Sequence, residues 1–357
     1  MRKMSVVKLG IIGVGGIAQG VHIRELLDVK EAEIVAICDT NPVTLEKVGN
    51  ELNIPLEKRY TDYRALVDDA EVEAVEICTP NYLHVEMAAY AIRSGKHVNV
   101  EKPISTDCTT LQPLEDALKE CNLDKQVCMS CFSYRFRPAV RYAKSLIEQG
   151  VLGRVVNVSV EYLKDSAFWK NRPMEWRFEK EKAGTGVLGD LGVHLIDMTR
   201  LLVGDFDSLT GHTEIIVKER PWADGSGIGQ VGTDDFCTFV ASMRNGATAN
   251  FTISRCAIGE ENSIRFDVYG TKGVLSFDLN NPTVLGVCVI DDDPKLAKME
   301  QVEVPKEYHV LQEQSFVDAI LGHKVAYFPD IYEAIECQKI LDAVQESSEK
   351  KVWVKLH

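Results

Sequence analysis

The sequence predicts a two-domain α/β protein. A doubly wound parallel sheet is expected over residues 1–130. A C-terminal α+β domain with a large, open, mostly antiparallel sheet is expected over residues 131–357. Three observations carry this expectation. Strand-like apolar runs alternate strictly with helical stretches up to about residue 130, as in a parallel sheet covered on both faces. A glycine-rich turn, Gly13-Val14-Gly15-Gly16-Ile17-Ala18, joins the first strand to the first helix. Further on, β-rich runs follow one another, divided by Gly and Asn turns, as sequential hairpins require. The length of 357 residues also favours two domains over one core.

The elements of the first half follow in order. Residues 6–12 are apolar apart from one Lys, which suits a parallel strand. A helical stretch after the glycines runs to residue 27. Residues 34–38 form the next strand, which ends at Asp39, and Asn41-Pro42 opens a helix. The strand at 72–78 ends at Thr79-Pro80-Asn81, and Gly95 closes the helix at 84–94. The strand at 97–100 ends at Glu101-Lys102-Pro103. A helix at 111–121 and a strand at 126–131 complete the unit. Right-handed crossovers place every strand C-terminus on one edge of such a sheet.

In the second half a helix at 138–149 stops at Gly150, and 155–163 alternates with period two. A helix at 189–202 precedes β-rich stretches at 208–218, 235–243, 248–254, 263–269 and 273–278. Turns such as Arg244-Asn245-Gly246 separate them. A last helix spans 332–347. The Gly-rich segment 219–232 is expected to be a mobile loop.

Composition narrows the functions open to the chain. The net charge of −14 argues against a broad nucleic-acid or anionic-membrane surface. No apolar run approaches the roughly 20 residues that span a bilayer. The basic start, Met1-Arg2-Lys3-Met4, leads into a strand and not into an export signal, so a cytoplasmic protein is expected. Ten cysteines lack framework spacing and are expected to be reduced. Cys128 and Cys131 form a lone C-x-x-C. On a strand, residues three apart face opposite ways, so both are expected to be buried structural thiols.

Several motifs carry chemistry. Gly13 permits the tight turn after the first strand, Gly15 lets backbone approach a pyrophosphate, and Ala18 allows close helix–strand packing. Gly16, Ile17 and Ala18 begin a helix whose first N–H groups would face phosphates. Asp39 is placed to accept hydrogen bonds from ribose hydroxyls and to repel a 2′-phosphate, which predicts NAD over NADP. Thr79, Pro80, Asn81 and His84 lie at another strand end on the cofactor edge; Asn81 suits the nicotinamide ribose, and His84 suits a structural role equally well. Glu101 and Lys102 end a further strand. A lysine there would stand near the nicotinamide, polarise a substrate hydroxyl and stabilise a developing alkoxide.

Asp190, His194 and Asp197 fall at i, i+4 and i+7 on a helix and share one face. His194 could take a hydroxyl proton, with Asp190 orienting it or stabilising the imidazolium. A metal held by this set is a competing reading, but no further ligand cluster is paired with it, and no metal is expected. Phe168, Trp169, Trp176 and Arg177 suit either a polyol pocket or packing anchors.

With these residues in view, the chain resembles the glucose–fructose oxidoreductase, inositol 2-dehydrogenase and rhizopine-catabolism (Gfo/Idh/MocA) family. The resemblance spans nearly the whole chain. It rests on GVGGIA at 13–18, TPNYLH at 79–84, EKP at 101–103, YRFRP at 134–138 and GDLGVHLID at 189–197. It implies an N-terminal Rossmann domain and a C-terminal domain whose open sheet builds dimers or tetramers. It also implies catalytic roles for Lys102, Asp190 and His194. Ser133 and Tyr134, ahead of the motif Arg135, fall where relatives contact substrate. The expected substrate contacts are therefore Lys102, Tyr134, Arg135, Tyr162, Trp176, Asp190 and His194.

These expectations describe an NAD-dependent dehydrogenase that oxidises a secondary hydroxyl of a cyclic polyol or sugar. Two alternatives share the fold. One is an enzyme that cycles NAD internally to eliminate or epimerise a sugar. The other is a non-catalytic NAD-sensing regulator.

Overall fold

The computed structural model describes residues 6–121, 123–290 and 293–356. The chain forms two compact units. One holds residues up to 131 together with 311–335, and the other holds 132–310 and 336–357. The return of 311–335 to the first unit has no counterpart in the linear division.

The first unit is built on six strands: β1 (Val7–Ile12), β2 (Ala32–Cys38), β3 (Arg59–Tyr60), β4 (Ala74–Ile77), β5 (His97–Val100) and β6 (Cys128–Ser130). Every pair is parallel, and the order is β3-β2-β1-β4-β5-β6. The order reverses between β1 and β4, where open α/β sheets bind their ligands. β1 and β4 are buried almost throughout because helices cover both faces. Local signals explain the helix ends. The Asn41 side chain accepts from Val43 N and Thr44 N, and Pro42 takes the first helical position of Pro42–Glu51. Helix Asn81–Arg93 stops just before Gly95, whose φ is +76°.

The short strand β3, the helix Tyr63–Val67 and the helix Gln312–Ile320 were not anticipated. The last opens on Gln312-Glu313-Gln314, polar residues that give no amphipathic signal, yet Gln312 and Glu313 are buried. Residues 329–330 also extend the first sheet, with Ser130 N donating to the Pro329 carbonyl at 3.0 Å.

The second unit holds a nine-stranded sheet and a separate hairpin. The strands are β7 (Val155–Leu163), β8 (Phe206–Glu214), β9 (Glu219–Pro221), β10 (Ile228–Gln230), β11 (Phe236–Met243), β12 (Thr248–Ser254), β13 (Ser263–Gly270), β14 (Gly273–Asp278), β15 (Val284–Val289), β16 (Glu300–Glu303) and β17 (Val354–Lys355). The large sheet runs β16-β15-β14-β13-β7-β12-β11-β8-β17, and only the β7–β12 pair is parallel. Helices Pro138–Glu148 and Val193–Val203 pack on one face. Beneath them Phe239 stacks on Phe251 at 4.0 Å, and Phe266 on Phe277 at 5.1 Å. Strand β11 alternates buried and half-buried residues, so its other face is left open by this chain.

Segment 219–232 differs from its expectation. It is a hairpin, β9 with β10, and not an unstructured loop. Trp222 packs on a small core of Met174, Phe178 and Val231, of which the first two are distant in sequence. No disulfide joins any of the ten cysteines, and Cys128 and Cys131 are buried.

Candidate active site

The glycine loop is shaped by steric need. Gly13 has φ +86°, and a Cβ there would lie 2.8 Å from the Cys78 carbonyl oxygen, so only glycine fits. Gly15 and Gly16 have open space where a side chain would stand. Ile17 is exposed and Ala18 is fully buried against the sheet. The following helix contains a π-helical turn, Ala18–His22, before α-helical geometry resumes at Ile23–Leu26. Asp39, at the end of β2, braces this loop: its Oδ2 accepts from Val14 N at 3.0 Å and its Oδ1 from Asn41 N at 2.8 Å. An open glycine backbone, a helix N-terminus and a carboxylate at the sheet's switch edge together fit a dinucleotide.

The next two strand ends are linked. Thr79 and Pro80 lead into the helix that begins at Asn81. His84 is fully buried, with Nδ1 2.8 Å from the Pro103 carbonyl and Nε2 2.7 Å from the Thr79 carbonyl. Burial holds its pKa below the ordinary value, against the two carbonyls that favour a proton. His84, expected among the cofactor contacts or in a structural role, clips the 79–81 turn to the 101–103 turn.

Glu101 is also turned inward. Its Oε1 lies 2.9 Å from His22 Nε2, and its Oε2 accepts from the Lys102 amide at 3.0 Å. Lys102 is half-buried beside a cis Lys102–Pro103 peptide bond.

In the second unit the downstream motif residues converge. The motif helix starts as a π-helical turn, Leu188–Gly192, and becomes α-helical at Val193–Val203, which corrects the expectation of one regular helix. π-Helical turns favour functional sites. The buried Asp234 carboxylate anchors this start, accepting from Gly186 N at 2.6 Å and Leu188 N at 2.9 Å. Asp190 receives Arg255 Nη2 at 2.6 Å. His194 is buried, and the Tyr134 ring meets its ring edge-on at 4.5 Å. The Tyr134 and Tyr162 hydroxyls are 2.9 Å apart, and Tyr162 donates to Asn262 Oδ1 at 3.1 Å. Tyr162 has one proton to give, so Tyr134 donates to Tyr162 and keeps its own oxygen free to accept. Burial and the neighbouring Tyr134 push the Tyr162 pKa far up, so it stays a neutral hydroxyl.

Arg135, expected among the substrate contacts, and Asp197, expected on the Asp190 face, form a buried ion pair: Nε lies 2.8 Å from both carboxylate oxygens and Nη2 lies 2.6 Å from Oδ1. Arg135 thus anchors the 133–136 turn that presents Tyr134. Trp176 sits half-buried in the short turn Trp176–Phe178, with the Arg177 guanidinium 4.4 Å from its ring centre.

Several supporting residues were not read from the sequence. Arg255 follows β12 with no spacing that ties it to position 190. Glu313 belongs to a helix that opens on polar residues. Glu76, a carboxylate inside the apolar run 72–78, was the one available hint of a buried polar cluster.

The fold and these sites define an NAD-binding oxidoreductase. Residues 7–130 match an oxidoreductase family with an NAD-binding Rossmann fold, and residues 140–276 match the Gfo/Idh/MocA C-terminal domain. The chain is 31% identical over 350 residues to levoglucosan dehydrogenase of Pseudarthrobacter phenanthrenivorans, covering 89% of this chain and 88% of that protein. It is 30% identical over 290 residues to glucose-6-phosphate 3-dehydrogenase of Bacillus subtilis, covering 80% and 79%. A solved structure of levoglucosan dehydrogenase in complex with NADH superposes with a TM-score of 0.89 at 29% identity, covering 99% and 100% of the two chains. The protein belongs to the Gfo/Idh/MocA family of oxidoreductases. Its cofactor is NAD.

Proposed function

We propose that the protein oxidises a secondary hydroxyl of a cyclic polyol or sugar. His194 accepts the hydroxyl proton. Lys102 holds the hydroxyl oxygen and stabilises the charge that develops on it, and Asp190 sets the charge around them. NAD, held by Gly13, Gly15, Gly16, Ile17, Asp39, Thr79, Pro80 and Asn81, takes the hydride from the same carbon. The observation that carries this reading is the cluster of Tyr134, Tyr162 and His194 within the second unit, with the Asp190 carboxylate, braced by Arg255, an electrostatic neighbour of Tyr162. It sets a proton acceptor beside an aromatic face, a free hydroxyl lone pair and a braced carboxylate, which are groups that a polyol pocket uses. Relatives named for levoglucosan and for glucose 6-phosphate support a cyclic sugar as the substrate class.

The open face of the nine-stranded sheet supports a homodimer or homotetramer, which light scattering on the purified chain would test. Among the described residues no helix is long and apolar enough to cross a membrane. Ten cysteines with no disulfide among them support a reducing compartment, the cytoplasm.

The test is NADH formation at 340 nm across inositols, hexoses, pentoses, sugar phosphates and amino sugars. One stereospecific hit is expected. Silence with NAD retained on the purified protein would replace the dehydrogenase by internal redox cycling. Lys102→Ala should lower turnover about 100-fold or more at unchanged NAD affinity. Full turnover in that variant would remove Lys102 from the mechanism.

A further inference from the structure

A fully buried ionic cluster lies beneath the 101–103 turn, wholly inside the first unit. His22, Glu76 and Glu313 are 0% exposed, and Glu101 is 8% exposed. His22 Nδ1 stands 2.8 Å from Glu313 Oε1 and 3.7 Å from Glu76 Oε2, and its Nε2 is 2.9 Å from Glu101 Oε1. Four separate elements meet here. His22 comes from the helix after the glycine loop, Glu76 from β4, Glu101 from the end of β5, and Glu313 from helix Gln312–Ile320, 291 residues from His22.

Chemistry determines where the protons sit. An ionised carboxylate only accepts hydrogen bonds, so a ring with a carboxylate at each nitrogen must donate from both. Burial alone would lower the His22 pKa. The groups around it outweigh that effect and hold it well above the ordinary value. Cys78 on β4, Cys131 after β6 and Glu313 on its helix act in that direction, and Glu76 on β4 and Glu101 after β5 also face the ring. Burial pushes both thiols up, so the ionised partners of the ring are Glu101 and Glu313, at hydrogen-bond distance from its two nitrogens. Glu76 is driven well above its ordinary value by burial and by Glu313, which favours its neutral form. Gln312 Nε2 and Asn99 Nδ2 complete the Glu313 carboxylate at 2.9 and 3.5 Å. The donor atoms of His22, Glu76 and Cys131 lie within 4.8 Å of one another, which resembles a metal site. Both His22 nitrogens are already spent on carboxylates, so the cluster is a proton-holding clamp.

We propose that His22 and Glu313 are positioning residues for Lys102, acting as an imidazolium–carboxylate clamp that presses the Glu101 carboxylate onto the Lys102 amide. The Lys102 N–H to Glu101 Oε2 bond of 3.0 Å is the last link. The clamp also ties the helix of the cofactor loop to the turn that carries the lysine. It rests on the reading above that Lys102 acts in the reaction.

The test compares the full-length wild type with Glu313→Gln, Glu76→Gln and Lys102→Ala. Imidazole 15N spectra report whether the His22 ring is doubly protonated between pH 6 and 9. Turnover is read on the sugar that the wild type oxidises fastest, and NADH affinity by fluorescence titration. A doubly protonated His22 is expected at pH 8 in wild type and in Glu76→Gln, since glutamine mimics a neutral carboxyl. Glu313→Gln should lose that state below pH 8 and lose about 10- to 100-fold in kcat, on the scale of a misplaced catalytic group, with NADH affinity little changed. A neutral His22 at pH 8 in wild type overturns the clamp, even should Glu313→Gln fail to fold. Full kcat in Glu313→Gln, with Lys102→Ala inactive, sinks the clamp alone. Full kcat in Lys102→Ala sinks the reading on which it rests.

Discussion

Replacing Asp197 with Asn probes the pair that holds Tyr134 beside His194. The side chains of Arg135 and Asp197 are 4% and 1% exposed, and three short contacts join them. Asn keeps one acceptor oxygen but removes the charge, which leaves a guanidinium in a place built for a carboxylate. Breaking such a buried pair from one side costs about 3–5 kcal/mol. Both partners belong to the second unit, of roughly 200 residues, where each kcal/mol moves Tm by about 2–4 °C. The expected fall in Tm is therefore about 6–20 °C, read by circular dichroism or calorimetry on the full chain. The NADH dissociation constant should stay within about twofold, because the pair lies outside the unit that carries the glycine loop. Replacing both partners, Arg135→Met with Asp197→Leu, should recover much of the loss, since no charge is then stranded. A Tm within about 2 °C of wild type for Asp197→Asn would refute the ion pair as the anchor of this region.

Three further outcomes can be checked directly. Asp39→Ala removes both the brace on Val14 N and the charge facing a 2′-phosphate. It should weaken NAD about tenfold or more, on the scale of one charged hydrogen bond of about 1.5–3 kcal/mol, and raise relative efficiency with NADP; an unchanged cofactor ratio would exclude Asp39 from discrimination. Arg255→Gln withdraws the guanidinium from Asp190 and should lower kcat more than it raises KM, and equal kcat would show that Asp190 needs no such brace. Burial pushes the Cys38 and Cys128 thiols up to about 12, from an unfolded value near 9. The unfolded chain releases these protons first, so stability is full below about pH 9. It should then fall by about 1.4 kcal/mol per pH unit for each thiol up to about pH 12. A stability curve flat across that window in Cys38→Ala/Cys128→Ala relative to wild type is the companion result, and an equally steep decline would assign the loss to other groups.

The legible part of the molecule was the part that sequence neighbours decide. The β1 run, the glycine turn and Asp39 predict the cofactor loop because strand burial, a φ of +86° at Gly13 and the end of β2 are local matters. The 155–163 and 248–254 runs announce their strands through period-two burial, and their observed bounds agree with the expected ones. Polar helices and very short strands escaped this logic. Gln312–Ile320 begins with buried polar residues, and Glu313 meets its partner His22 from 291 residues away, so nothing local marks its first turn as buried. The 219–230 hairpin looked like a loop because its stabilising core, Met174 and Phe178, lies some 50 residues upstream.

By itself, then, the sequence determined the parallel α/β unit, the dinucleotide loop, the later antiparallel sheet and the motif residues Lys102, Asp190 and His194. Tertiary structure alone decided which groups face one another. It turned Arg135 toward Asp197 and Arg255 toward Asp190, and it enclosed His22 between Glu101 and Glu313. The physical reason is range. Backbone preference and hydrophobic period act over a few residues, whereas a buried charge is stable only beside a counter-charge, which the fold can bring from anywhere along the chain.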